Sequence, residues 1–179
     1  MTTGGDNSLL IDVIERDITT IDIPAGTYTI GHFAFSSCSK LREISIPNTV
    51  LGIGANAFNY CGLLNHLIIP SSVLAIGPKV FYQNTNLNDM VILKDTPPSF
   101  DSDNTFSNNL KIYVKNAAVD SYKNAGGNWN DVSTRITPLA SMSYNSSTYT
   151  VTALGRPNLE LYVDASLCNS SVYTIPQTS

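Results

Sequence analysis

Hydrophobic positions in this chain recur every 23 residues. Three segments align without gaps, starting at Ile23 (IPAGTYTIGHFAFSSCSKLREIS), Ile46 (IPNTVLGIGANAFNYCGLLNHLI) and Ile69 (IPSSVLAIGPKVFYQNTNLNDMV). Ile30/Ile53/Ile76, Gly31/Gly54/Gly77, Phe35/Phe58/Phe81 and Leu41/Leu64/Leu87 fall in columns, and the same step reaches back to Ile18 and Ile21 and forward to Leu110 and Tyr113. In Leu41-Arg42-Glu43-Ile44-Ser45-Ile46, Ile44 and Ile46 face one way and Glu43 and Ser45 the other, as in an extended strand. Side-by-side stacking of such units predicts a parallel sheet over a continuous column of Leu, Ile and Phe. Each Pro follows the strand, where its missing N–H interrupts no ladder. Each Ile-Gly pair marks a tight bend or a close backbone approach. A second short strand is expected at Thr29-Ile30, Gly52-Ile53 and Ala75-Ile76, and one helical or 3₁₀ turn around the Phe column.

A period of roughly 20–29 residues with an LxxLxL core is the leucine-rich-repeat pattern. The phrase IPxxVxxIGxxAFxxCxxLxxIxIP, matched closely by residues 46–69, resembles the BspA-like leucine-rich repeat of bacterial surface proteins. The resemblance extends over residues 18–138. Lys94-Asp95-Thr96-Pro97-Pro98, Leu110 to Val114 and Asp120 to Lys123 look like that family's irregular last repeat and closing helix. The sequence departs from the pattern at Asn84, which replaces a third Cys, and at Phe106, where strict spacing points to position 104. The resemblance implies adhesion or ligand binding, and the family has no fixed binding motif to carry across.

The fold class expected is mainly β with short helices: a leucine-rich-repeat solenoid plus a small C-terminal antiparallel β segment. Residues 1–17 form an N-terminal helical cap, with Ser8 capping Leu9 to Ile14. Residues 18–115 are the repeats. Residues 116–138 are a C-terminal helical cap, with Asn116 capping a helix from Ala117 to Ala125 that Gly126-Gly127 ends; Trp129, Val132 and Ile136 plug the base. Residues 139–179 alternate in short runs broken by Asn145-Ser146-Ser147, Gly155-Arg156-Pro157 and Asn169-Ser170. This segment resembles part of an immunoglobulin-like domain and is too short to close a sandwich. Either a neighbouring subunit or partner covers its open edge, or it folds back on the repeats.

The charges narrow the function. Charged residues are 13% of the chain, and the formal net charge is −4. No Lys/Arg cluster occurs, so a nucleic-acid groove is not expected. No apolar run is long enough to span a membrane. Met1 to Asp6 (MTTGGD) does not read as a secretory leader; either one was replaced by a start Met, or the protein leaves by another route, as a phage virion protein does by lysis. Cys38, Cys61 and Cys168 make an odd set without CxxC. Cys38 and Cys61 share a column in which a disulfide is geometrically allowed, although Asn84 in the third slot favours a ladder of small buried groups bonded to the loop backbone. His32 and His66 occupy different repeat positions. Asp101-Ser102-Asp103-Asn104 lacks the Gly and Glu of a calcium loop. Asn145 and Asn169 read as turn residues. No catalytic or metal residue and no cofactor is expected.

The remaining candidates are the outward strand positions: Glu43, Ser45, His66, Ile68, Asp89, Val91, Ile112 and Val114. Among them Ile68, Val91 and Val114 form an apolar line. The function expected is a non-catalytic protein-binding and adhesion module, extracellular or at the cell surface, acting through the strand face on a host-surface or extracellular protein. The alternative is a structural virion component of a phage, a fibre or capsid decoration protein, assembling as a homo-oligomer through residues 139–179.

Overall fold

A computed structural model of the chain describes residues 10–11, 16–101 and 106–139. Every strand pair in it is parallel, and each repeat lies beside the next. One ladder comprises β2 (Thr20–Asp22), β4 (Glu43–Ser45), β6 (His66–Ile69), β8 (Asp89–Ile92), β10 (Lys111–Val114) and β11 (Ile136–Pro138). β2 pairs β4, and β6 to β11 form a four-stranded sheet with β4 against β6. The other ladder is a five-stranded sheet in the order β1 (Leu10–Ile11), β3 (Thr29–Ile30), β5 (Gly52–Ile53), β7 (Ala75–Ile76) and β9 (Ser99–Phe100). β3, β5 and β7 coincide with the second short strands expected from the sequence. Registers such as Ile30↔Ile53 and Ile53↔Ile76 keep the 23-residue step. One apolar cluster, including Ile30, Ile53, Ile76, Leu67 and Ile69, fills the interior.

The segment around the Phe column is not a helical turn. Phe33, Asn56 and Lys79, and again Ser37, Tyr60 and Gln83, sit at φ between 55° and 61°. Amide use alternates accordingly. The Ala34, Ser36 and Cys38 N–H groups donate to Gly31, Phe33 and Phe35 carbonyls, while Phe33, Phe35 and Ser37 donate to Ala55, Ala57 and Asn59 of the next repeat. A helix spends its amides on its own chain; here every second amide ties one repeat to its neighbour. The left-handed residues, each costing roughly 1–2 kcal/mol, aim those amides outward along the stack.

The aromatic column is continuous. Phe35 stacks on Phe58 at 5.2 Å and Phe58 on Phe81 at 6.3 Å, with rings within 8° of parallel. Phe106 continues the series on Phe81 at 5.9 Å, two residues beyond the position that strict spacing gives. Phe100 and Trp129 follow at 4.9 Å, and Tyr122 meets Trp129 edge-on.

The glycines of the Ile-Gly pairs are required by close approach. A Cβ on Gly54 would lie 2.8 Å from the His32 amide nitrogen, and one on Gly77 would lie 2.9 Å from that of Ala55.

The ends differ in part from expectation. Leu10–Ile11 is a strand on β3 rather than part of a helix. A short apolar run fits either state, and the edge of β3 offers it ladder bonds. Ser8, Leu9 and Asp12 to Ile14 lie outside the described residues, as does the segment 140–179. At the other end Asn116 starts a 3₁₀ segment, Asn116–Ala118, without a side-chain cap bond. The helix α1 is only Val119–Lys123. Gly126 and Gly127 take φ of 75° and 55°, and a 3₁₀ segment, Gly127–Arg135, leads to β11. Trp129, Val132 and Ile136 are buried. Trp129 Nε1 donates to the Pro98 carbonyl at 2.9 Å and Tyr122 Oη to that of Lys94 at 2.9 Å, so both aromatic residues are buried with their polar atoms satisfied. The compact unit ends at Leu139.

Candidate binding surface

The outward positions of the first ladder make two rows. Thr20 lies beside Glu43, and Asp22 beside Ser45. His66 pairs with Asp89 and Ile68 with Val91; Asp89 pairs with Lys111 and Val91 with Tyr113. The rows therefore read Thr20, Glu43, His66, Asp89, Lys111 and Asp22, Ser45, Ile68, Val91, Tyr113. The face changes character along its length. Asp22 and Glu43 are exposed at one end and Lys111 at the other, with half-buried His66 and Ile68 between.

Two sequence candidates leave this face. Ile112 pairs with Met90 and Val114 with Ile92, and both are buried with the core. The step from β8 to β10 is 22 residues instead of 23 (Asp89↔Lys111), and a one-residue slip turns every side chain to the opposite face. Lys111 and Tyr113 take the outward places. Tyr113, assigned inward by the strict period, is the other half of the same correction. The apolar line runs Ile68–Val91–Tyr113, and Val91 and Tyr113 are only 7% exposed. The shortened step was not readable from spacing alone; the alternation Lys111-Ile112-Tyr113-Val114, with a charge at its head, was the available signal.

The other candidates separate. His32 Nδ1 accepts the Ala55 amide at 3.0 Å on the second ladder's side, and His66 Nδ1 lies 2.6 Å from Asn65 Oδ1 on the first. The two histidines share no site. Cys38 and Cys61 are free, fully buried thiols. Cys61 Sγ donates to the Phe35 carbonyl at 3.1 Å, and the Cys61 amide donates to Asn84 Oδ1 at 2.9 Å. This is the backbone-bonding ladder that Asn84 in the Cys column suggests. Burial raises both thiol pKa values, that of Cys61 to about 12, so neither is a poised nucleophile. Of the acidic run at 101–104 only Asp101 is described, exposed at the end of β9. Among the described residues no three His, Cys, Asp or Glu side chains group as metal ligands, and no helix is long and apolar enough to cross a membrane.

A second surface escaped the sequence reading. Tyr28, Leu51 and Leu74 share one repeat position and are 39%, 44% and 55% exposed. Beside them runs an open groove of about 450 Å³ along β3, β5, β7 and β9, with Gly52, Gly54, Ala75, Gly77 and Pro78 along its middle and His32 and Asp101 at its ends. Its signal was present in the sequence: three apolar residues at one position, each directly after a core residue, Thr27, Val50 or Val73.

Parallel strands in a 23-residue register and a stacked Phe column define a leucine-rich-repeat architecture. The BspA type leucine-rich repeat region model matches six copies over residues 15–121, and the chain belongs to that family. Comparison with curated protein sequences finds no significant match. Among solved structures the chain is similar to the pneumococcal vaccine antigen PcpA, with 14% identity, a TM-score of 0.39, and 68% of this chain against 40% of that one covered. A leucine-rich repeat protein from Bacteroides ovatus shows 23% identity and a TM-score of 0.29, covering 55% of this chain and 40% of its own. The chain thus spans 40% of the length of either structure.

Proposed function

We propose that this chain is a non-catalytic protein-binding module of the bacterial surface type, a short solenoid that engages an extracellular or host-surface protein through the outward rows of its first ladder. Membership in the BspA-type family supports this class of function. The observation that carries the choice of face is its uneven register: exposed acidic Asp22 and Glu43 at one end, half-buried His66, Ile68 and Asp89 in the middle, and exposed basic Lys111 at the other end. Such a row steers a partner of complementary charge order and sets its direction of approach. Adhesion would follow from this binding if the chain is displayed at a surface.

The test is capture of extracellular or host-surface proteins on immobilised full chain, compared with Glu43→Arg, Ile68→Asp and Lys111→Glu variants. Each variant should retain the parent melting temperature and lose the captured partner at least about tenfold in affinity, as charge reversal at a complementary interface does. Unchanged capture by all three would remove the strand face from the reading.

A further inference from the structure

The Tyr28–Leu51–Leu74 ridge and the groove beside it belong to a face to which three successive repeats contribute no ionised side chain of their own; Asp101 stands at the groove's far end and Lys94 Nζ reaches the Ser71 carbonyl at its margin. Segments 24–31, 47–57 and 70–78 contain no Asp, Glu, Lys or Arg, although the chain carries a net charge of −4. Elsewhere the described surface is charged: Asp17 pairs Lys40, Asp95 pairs Lys115, and Asp22, Glu43 and Lys111 stand on the strand face. Depletion of charge around exposed apolar side chains marks the centre of a protein interface. The ridge is also held rigidly. The Leu51 amide donates to the Tyr28 carbonyl and the Leu74 amide to the Leu51 carbonyl, both at 2.8 Å. The three side chains therefore stand in a row at about the 4.8 Å rung spacing.

We propose that this face binds a second copy of the same chain, antiparallel about a two-fold axis crossing the stack at the Leu51 repeat. Ridge and groove floor lie one residue apart on each repeat, Tyr28 next to Thr29, Leu51 next to Gly52 and Leu74 next to Ala75, so a two-fold axis seats each ridge in the opposing groove. Leu51 then meets the partner's Gly52, where no side chain fills the floor. Tyr28, the largest ridge residue, meets the partner's Ala75, and Leu74 meets the partner's Thr29. A contact made by one patch on both copies closes as a dimer and does not propagate. Electrostatics permits it here: two chains of net charge −4 repel, and these three repeats bring no like charges together. The same operation sets His32, at one end of the groove, opposite the partner's Gly77 and Pro78, one rung short of its Asp101. A neutral glycan is the weaker fit, because the middle of the floor is Gly, Ala and Pro, with the polar side chains His32, Ser99 and Asp101 only at its ends, and the ridge offers one aromatic ring. The strip is small, on the order of 400 Å² per copy against about 800 Å² for a standard interface, so the dimer is weak and concentration-dependent. Paired this way, two copies would present two strand faces, converting a weak contact with a multivalent surface into an avid one.

The experiment is sedimentation velocity on the full chain from about 5 to about 500 µM, the range in which an interface of this size associates. The parent should shift from monomer toward dimer across that range. Leu51→Asp and, independently, Leu74→Asp should lower the association constant at least about tenfold, with unchanged circular dichroism and melting temperature because both side chains are exposed. Ile68→Asp, on the strand face, should dimerise like the parent; this separates the inference from the proposed ligand face. A parent that stays monomeric at the highest concentration overturns the inference. So does a dimer indifferent to both ridge substitutions, or a monomer that a neutral polysaccharide gel retards only when Leu51 is intact.

Discussion

The backbone amide of Cys61 donates to Asn84 Oδ1, 2.9 Å away and one repeat further along the stack. Both residues are buried, and the bond crosses between repeats where the Cys column would otherwise offer a sulfur. Removing the acceptor leaves a buried N–H unpaired, which costs about 1–3 kcal/mol. Asn84→Ala should therefore lower stability by that amount in urea unfolding, with the slope of the transition unchanged. An Asn84→Ala protein as stable as the parent would show that removing the buried, unpartnered Asn84 Nδ2 offsets the lost bond or that Cys61 finds another acceptor.

The glycine columns make a sharper contrast. Gly54→Ala places a Cβ 2.8 Å from the His32 nitrogen and 2.9 Å from the Gly31 carbonyl carbon, and neither backbone atom can move aside without shifting a repeat. A cost of about 1–3 kcal/mol is expected from overpacking. Gly52→Ala meets nothing within 4 Å; it should be neutral or stabilising by about 0.5–1 kcal/mol, since glycine in a strand carries an entropic cost. Paired thermal melts of the two variants read the difference directly.

Much of this architecture was legible in the sequence because a fixed period reports which residues share an environment. Ile30, Ile53 and Ile76 had to stack, and the second strands through them could be named in advance. The period could not report where the chain departs from itself. One residue fewer between Asp89 and Lys111 turned Ile112 and Val114 inward, and the resulting face holds Tyr113 instead. Nor does a period reveal backbone handedness. Phe33, Tyr60 and Lys79 are not residues that advertise positive φ, so the turns that bridge repeats read as helical. The exposed ridge was passed over for a different reason: Leu51 and Leu74 look like core residues until Val50 and Val73 are seen to occupy the interior.

Aromatic closure at the C-terminal end should dominate the energetics there. Trp129 packs at a tilt against Phe100, meets Tyr122 edge-on and donates to the Pro98 carbonyl. Trp129→Ala should cost about 3–5 kcal/mol. Tyr122→Phe removes the hydroxyl that is shared between the Lys94 and Thr96 carbonyls and should cost about 1 kcal/mol. Amide hydrogen exchange should show the Trp129→Ala loss concentrated in β9, β10 and β11, with β3 and β5 protected as in the parent, because each repeat depends mainly on its neighbours.

The thiol column sets a limit on alkaline stability. Burial pushes the Cys61 thiol up to about 12, with the neighbouring Cys38 adding to the rise, and burial also raises Cys38. A raised folded pKa means that the folded state holds its proton while the unfolded chain releases it. The contribution is complete below about 8.5, where an unfolded thiol ionises, and is lost as pH climbs toward about 12. Stability measured by urea unfolding should fall across that window, by an amount on the order of a few kcal/mol from Cys61 by its upper end. Cys61→Ala should start less stable, because it leaves a cavity, and then decline less steeply between about pH 8.5 and 10, before unfolded tyrosines begin to ionise. In the parent at neutral pH, iodoacetamide should leave both thiols unmodified until denaturant is added. Equal alkaline slopes in the two proteins, or rapid native alkylation of Cys61, would contradict the buried, proton-bearing thiol on which this prediction rests.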